Sequence, residues 1–196
     1  MIDPTTLPRS PSMMSRDDTA LLVVDMQERL LPHISGHQRI AWNVARLIDG
    51  AKVLGMPVLA TEQYPKGLGP TVADIADRLS DIPSKLRFSC GGCPELFESL
   101  PDRGIHKLLL VGVEAHVCVQ QTVFDLLTHG FHIFVAADAV GSRFELDLDV
   151  ALRRMESAGA NVTTTEAALF EWCEVAGTPD FKKISELVRQ DPPCDA

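Results

Sequence analysis

Along this chain, short apolar runs rich in Val, Ile and Leu alternate with longer segments whose apolar positions recur at helical spacing. "TALLVVDMQ" is the first such run and ends at Asp25. In "IAWNVARLIDGAKVLG" the residues Ile40, Val44, Leu47, Ile48, Ala51 and Leu54 fall on one helical face, and Gly55 and Pro57 end it. The alternation continues with "PVLAT" as strand, "GLGPTVADIADRL" as loop and short helix, "KLRFS" as strand, "PELFESL" as helix and "HKLLLVGV" as strand. A helix from about Ala115 to His129 then stops at Gly130, followed by strand "FHIFVAADA", a helix near 145–158 stopped by Gly159, and strand "NVTTT". Two helices close the chain, one opened by the capping-box pattern Thr163-x-x-Glu166 and one by Thr178 with Pro179 in its first turn.

Strand alternating with helix predicts an α/β fold: a single-domain three-layer sandwich whose six-stranded, mostly parallel sheet carries helices on both faces. The 196 residues are enough for one sizeable core. The expected divisions are an arm over 1–17, a domain over 18–190 and a tail over 191–196, with arm and tail frayed or recruited by a partner subunit.

Charge and cysteines narrow the function. The formal net charge of −9 and the lack of any Lys/Arg cluster argue against nucleic acid as a partner. The N-terminal "MIDPTTLPRSPSMMSRDD" does not read as a secretory leader, and no apolar run approaches membrane-spanning length, so no membrane partner and a cytoplasmic location are expected. Five scattered cysteines, Cys90, Cys93, Cys118, Cys173 and Cys194, suit reduced thiols better than a disulfide framework.

In an open parallel sheet of strand order 3-2-1-4-5-6, ligands bind beyond the carboxyl ends of the strands where that order reverses. Asp25 ends the first strand and "GVEAHVC" leaves the fourth, which sets Asp25 and Cys118 facing each other. A thiol near a helix start meets the positive end of the helix dipole, which favours thiolate.

Three ordered motifs, "LLVVDMQ" with Asp25, "KLRFS" with Lys85 and "GVEAHVCVQQT" with Cys118, resemble the isochorismatase-like cysteine hydrolases over roughly 18–190. "TEQYPKGLGPT" and "NVTTTEAALFEW" are similar to the small single-domain members. The resemblance implies a catalytic triad: Cys118 as nucleophile, Asp25 as base and Lys85 as the cation that depresses both pKa values. It also implies a cis peptide before Glu114, with backbone N–H groups of Glu114 and Cys118 stabilising one oxyanion. The resemblance further implies a homo-oligomer and a small-molecule substrate, with an amide whose C–N bond is hydrolysed through a thioester as the expected kind.

Metal-dependent members carry an Asp-x-His pair after the second strand, where this chain reads "ATEQYPKGLG" without histidine. No metal and no cofactor are therefore expected. Gln27, Glu62, Gln63, Tyr64 and His116 are the candidate substrate contacts. Two rival readings stand beside the hydrolase. "SCGGCPELF" has the spacing of a thiol-disulfide redox site, with Cys90 the exposed attacking thiol and Cys93 its resolving partner. A non-catalytic oligomeric scaffold that keeps a hydrolase-like site is the other.

Overall fold

A computed structural model describes residues 7–193. The start of the predicted arm, 1–6, and the end of the predicted tail, 194–196 with Cys194, lie outside the described residues. Six strands form one sheet, all parallel, in the order β3-β2-β1-β4-β5-β6. They are β1 Thr19–Val24, β2 Val58–Gln63, β3 Ser84–Lys85, β4 Lys107–Val113, β5 His132–Gly141 and β6 Asn161–Thr163. The helices are α1 His37–Val53, the single turns α2 Pro65–Leu68 and α3 Ala73–Ala76, then α4 Gln120–Thr128, α5 Glu145–Ser157, α6 Thr165–Cys173 and α7 Pro179–Val188.

Every residue of β1 and of β4 is buried, as befits central strands covered on both faces. Strand periodicity splits them between two cores. Leu21, Val23, Leu109 and Val111 face one side, where α1, α6 and α7 supply Val44, Leu47, Ile48, Leu169, Trp172 and Ile184. Ala20, Leu22, Val24, Leu108 and Leu110 face the other, against Val123 and Leu126 of α4 and Ala151 and Met155 of α5. The predicted three-layer sandwich and strand order are thus observed.

Several local expectations need correction. "PELFESL" is not an α-helix: Pro94–Leu96 is a 3-10 turn, residues 97–100 are turn, and a second 3-10 turn, Pro101–Arg103, follows, each 3-10 turn opened by a proline that cannot donate to a preceding turn. Of "KLRFS", only Lys85 pairs in the sheet, alongside Ser84, and the chain leaves the edge at Leu86. The α6 cap is Thr164, whose hydroxyl accepts from the Ala167 N–H, one residue beyond the predicted capping box. The arm is not frayed from Met14 onward. That side chain is fully buried, and its N–H donates to Glu171 of α6 at 2.8 Å. Trp172 is wholly buried while Trp42 lies half-buried under Arg46, 4.1 Å from its ring.

At the centre of the sheet, β1 and β4 approach closely. Gly112 has φ +110°, and a Cβ there would stand 2.1 Å from the Val24 carbonyl oxygen. Only glycine fits, and the strand can pass tightly beneath the next residue of β1's line, Asp25.

Candidate active site

Asp25 follows the last residue of β1 in a left-handed conformation, φ 52°, which aspartate tolerates better than most residues. Its N–H still donates to Thr61 of β2 at 3.1 Å, so the carboxylate is turned out of the strand while its backbone stays anchored. Across the strand-order reversal, β4 runs through a cis Val113–Glu114 peptide into a π-helical turn, Ala115–Val119, which carries Cys118. The predicted α-helix from Ala115 is therefore wider in its first turn and becomes regular only at Gln120.

Lys85 comes from the sheet edge and reaches inward. Its Nζ donates to Asp25 Oδ2 at 2.7 Å, Gln63 Oε1 at 2.9 Å and the Phe88 carbonyl at 2.8 Å. An ammonium has three protons, and all three are engaged. Asp25 Oδ1 accepts from the Thr61 hydroxyl at 2.9 Å, and the Cys118 thiol is near enough that it and the carboxyl shift each other's pKa. Asp25, Lys85 and Cys118 are all buried.

The electrostatics follow from this burial. Desolvation raises the Asp25 carboxyl above its ordinary range, although Lys85, Cys118 and Thr61 each pull it down. Desolvation disfavours the Lys85 ammonium too, but Asp25 and the two neighbouring thiols, Cys118 and Cys90, outweigh it and the lysine's pKa rises. Burial followed by the Asp25 charge pushes the Cys118 thiol well up, with Lys85 opposing. The expected depression of the Asp25 and Cys118 pKa values by Lys85 is thus outweighed by burial, which also opposes the helix-dipole contribution to a thiolate.

The remaining sequence candidates take up different positions. Gln27 is fully buried, its amide donating to the Gln63 and Gly69 carbonyls and its oxygen accepting from the Gln63 N–H. Gln63 in turn donates to the Leu86 carbonyl while accepting from Lys85. Glu62 accepts from both the N–H and the hydroxyl of Thr71. These three brace the loops rather than point at Cys118. Tyr64 is exposed at φ 39°, and His116 shares a 3.0 Å hydrogen bond with Ser142. Glu114 accepts from the backbone N–H and Nε of Arg143, both at 3.1 Å, tying the loop after β5 to the π turn.

Sequence reasoning missed Thr61, Thr122 and the inward face of Cys90. The Thr122 hydroxyl accepts from the Cys90 N–H at 2.9 Å and donates to the Cys118 carbonyl at 2.7 Å. A threonine at a strand end or in a helix gives no distinguishing signal. The CxxC arrangement does not converge: Cys90 Sγ faces Thr61 at 3.4 Å, whereas Cys93 Sγ faces the Ser84 carbonyl. Cys90 is wholly buried rather than exposed, and burial pushes its thiol up to about 11, the opposite of an activated attacking thiol. Among the described residues no group of three or more His, Cys, Asp and Glu side chains is arranged to hold a metal ion. No helix there is long and apolar enough to cross a membrane.

The sequence pattern described as the isochorismatase domain matches residues 19–167. The chain belongs to the isochorismatase family. Relatives agree with that assignment. The chain is 36% identical over 181 residues to isochorismatase domain-containing protein 2 of Danio rerio, covering 92% of this chain and 91% of that one. It is 40% identical over 172 residues to isochorismatase domain-containing protein 1 of the same organism, where the match spans 86% of this chain but only 60% of the relative. Among solved structures, the MAR1 ribonuclease of Caenorhabditis elegans superposes with a TM-score of 0.84 at 37% identity, covering 92% and 94% of the two chains. As an isochorismatase-family α/β protein the chain is placed among hydrolases.

Proposed function

We propose that the chain is a metal-independent cysteine hydrolase that cleaves a C–N bond in a small amide, with Cys118 as nucleophile, Asp25 as base and Lys85 as the fixed cation. The observation that carries this reading is the sealed contact between Lys85 and Asp25, 2.7 Å with neither side chain exposed, at the strand-order reversal where the buried Cys118 thiol lies close enough for each to shift the other's pKa. A buried ion pair that reaches no solvent and meets a thiol needs a reason beyond stability, since such pairs add little to it.

The raised thiol and raised carboxyl set the order of events. Cys118 Sγ attacks the amide carbon as its proton passes to Asp25, because a free thiolate would face the Asp25 charge. Charge then moves to the substrate oxygen, where the backbone N–H groups of Glu114 and Cys118 are the proposed donors, worth about 3 kcal/mol to the barrier. Asp25 returns the proton to the leaving nitrogen as the C–N bond breaks and a thioester forms. Water attacks that thioester with Asp25 again taking the proton, the C–S bond breaks, and the thiol is restored. Lys85, with all three protons held, acts by charge alone.

Tyr64 and His116 remain the proposed substrate contacts, while Gln27, Glu62 and Gln63 serve as framework. The name of the ribonuclease relative suggests RNA as substrate, but a net charge of −9 and a nucleophile only 4% exposed favour a small molecule. A homo-oligomer in the cytoplasm completes the proposal. Its apolar contacts are the exposed Phe144, Leu146 and Phe170, whereas Trp172, Phe181 and Leu187 pack within the chain.

The test is a panel of small amides and carbamates, isochorismate and an RNA oligonucleotide offered to the purified protein, with Cys118→Ala as blank. Ammonia or amine release that the blank lacks supports the proposal; cleavage of RNA alone overturns it.

A further inference from the structure

Each oxygen of Asp25 has its own donor, and the two donors differ in kind. Oδ2 meets Lys85, which can only donate and whose protons are fixed by three acceptors. Oδ1 meets the Thr61 hydroxyl at 2.9 Å, a group that can donate or accept. An ionised carboxylate carries no proton, so Thr61 must donate to it. The Cys90 sulfur, 3.4 Å from the same hydroxyl oxygen, is then left to donate its S–H to Thr61. Thr61 and Cys90 are both buried, so water does not compete for these contacts.

We propose that Thr61 is a positioning residue for the base: its hydroxyl donates to Asp25 Oδ1 while the carboxylate is ionised, and turns to accept when Asp25 holds the proton taken from Cys118. In the turned state its proton faces the Cys90 sulfur, a weak acceptor already in place. A base that must take up a proton and return it gains from a neighbour able to serve both forms. Lys85 serves only the ionised one. The role of Asp25 as base rests on the hydrolase reading above; the contact of Thr61 with Asp25 does not.

The titratable groups facing Asp25 are Lys85 from β3, Cys118 from the π turn, and Cys90 with, further off, Cys93 from the turns between β3 and β4. β2 contributes Thr61, whose bond lowers the carboxyl pKa. A hydrogen bond to the ionised carboxylate is stronger than one accepted from the neutral acid, so removing Thr61 weakens the ionised form more and the carboxyl should titrate at higher pH.

Two readouts test this, one independent of turnover. In protein carrying ¹³C-labelled aspartate, the Asp25 carboxyl resonance, assigned by its loss in Asp25→Asn, is titrated in parent, Thr61→Val and Thr61→Ser. Hydrolysis of p-nitrophenyl acetate is followed across pH in the same proteins. The expected result is that Thr61→Val, nearly isosteric, raises the Asp25 midpoint by about one pH unit. The acid limb of kcat should follow it, with KM little changed, and Thr61→Ser should restore both. A Thr61→Val protein that melts like the parent yet leaves the midpoint unmoved overturns the proposal, as does Thr61→Ser behaving like Thr61→Val. A midpoint that moves in a protein without Cys118-dependent esterase activity supports the positioning role and removes the hydrolase reading instead.

Discussion

Lys85 and Asp25 form a 2.7 Å ion pair whose two side chains expose no surface at all, although one comes from the sheet edge and the other from its centre. Sixty positions apart in sequence, they meet because Gln63 of β2 and the Phe88 carbonyl, just beyond β3, hold the lysine's other two protons. Neither charge has an alternative partner in solvent, so each depends on the other.

Lys85→Met therefore strips a buried carboxylate of its cation. Its Asp25 should take up a proton at neutral pH, turnover should vanish, and urea unfolding should show a loss of about 3 kcal/mol. The double variant Lys85→Met with Asp25→Asn should recover part of that loss while remaining inactive, because asparagine stays buried without having to take up a proton at neutral pH. Parent-like stability in the single variant would mean that the pair holds nothing together.

Gly112→Ala should destabilise the fold well beyond the loss usual for an alanine. The added Cβ would meet the Val24 carbonyl oxygen at 2.1 Å in a backbone conformation with φ +110°, and the obstacle is backbone that cannot swing aside. A loss of about 3 kcal/mol or more in the melting free energy is expected, since β1 and β4 must separate just below Asp25.

Asp18 carries a pH dependence of the opposite kind from Asp25. Burial pushes its carboxyl up, but bonds from Lys107, Thr19 and the Ser15 backbone outweigh that and hold it below the usual range. A depressed folded pKa contributes stability that is complete above the unfolded value of 3.8 and lost as pH falls through the folded one. Asp18→Asn should accordingly melt lower than the parent near pH 6, with the gap closing as acid is added below about pH 4. An unchanged gap at pH 2 would show that Lys107 owes its place to the Met13 carbonyl instead.

The fold was legible because its signal is collective. After their first residues, Thr19 and Lys107, the runs at β1 and β4 carry no polar side chain, as a sheet covered on both faces requires, and the glycines after α4 and α5 marked their ends. Asp25 and Cys118 could be set opposite each other by topology alone. What stayed hidden depends on single contacts. Nothing in "KLRFS" says that Lys85 turns inward from a two-residue strand, nor that Leu86 and Phe88 then stand exposed. Thr61 could not be told from any other strand threonine, and the dipole position of Cys118 was legible while the burial that raises its thiol was not.

That burial gives the sharpest expectation. Burial comes first and the Asp25 charge second among the influences raising the Cys118 thiol, and Lys85 only partly offsets them. In the parent, alkylation of Cys118 by iodoacetamide should be slow at neutral pH and keep climbing above pH 9, with no plateau of the kind a low-pKa thiolate gives. Asp25→Asn removes the negative charge while leaving the Lys85 ammonium its bonds to Gln63 and Phe88, so the thiol should ionise more readily. The variant should then alkylate faster than the parent at pH 7, by about tenfold for each unit its pKa falls, while losing the ability to turn over substrate. A nucleophile made more reactive by the change that abolishes catalysis separates ionisation from base catalysis within one protein. Cys90, wholly buried and pushed up to about 11 by that burial, should stay slow in both proteins and serves as the internal reference in the same digest. Should Cys118 plateau near neutrality in the parent, or slow down in Asp25→Asn, the resting site holds a thiolate and Asp25 is not the group that receives its proton.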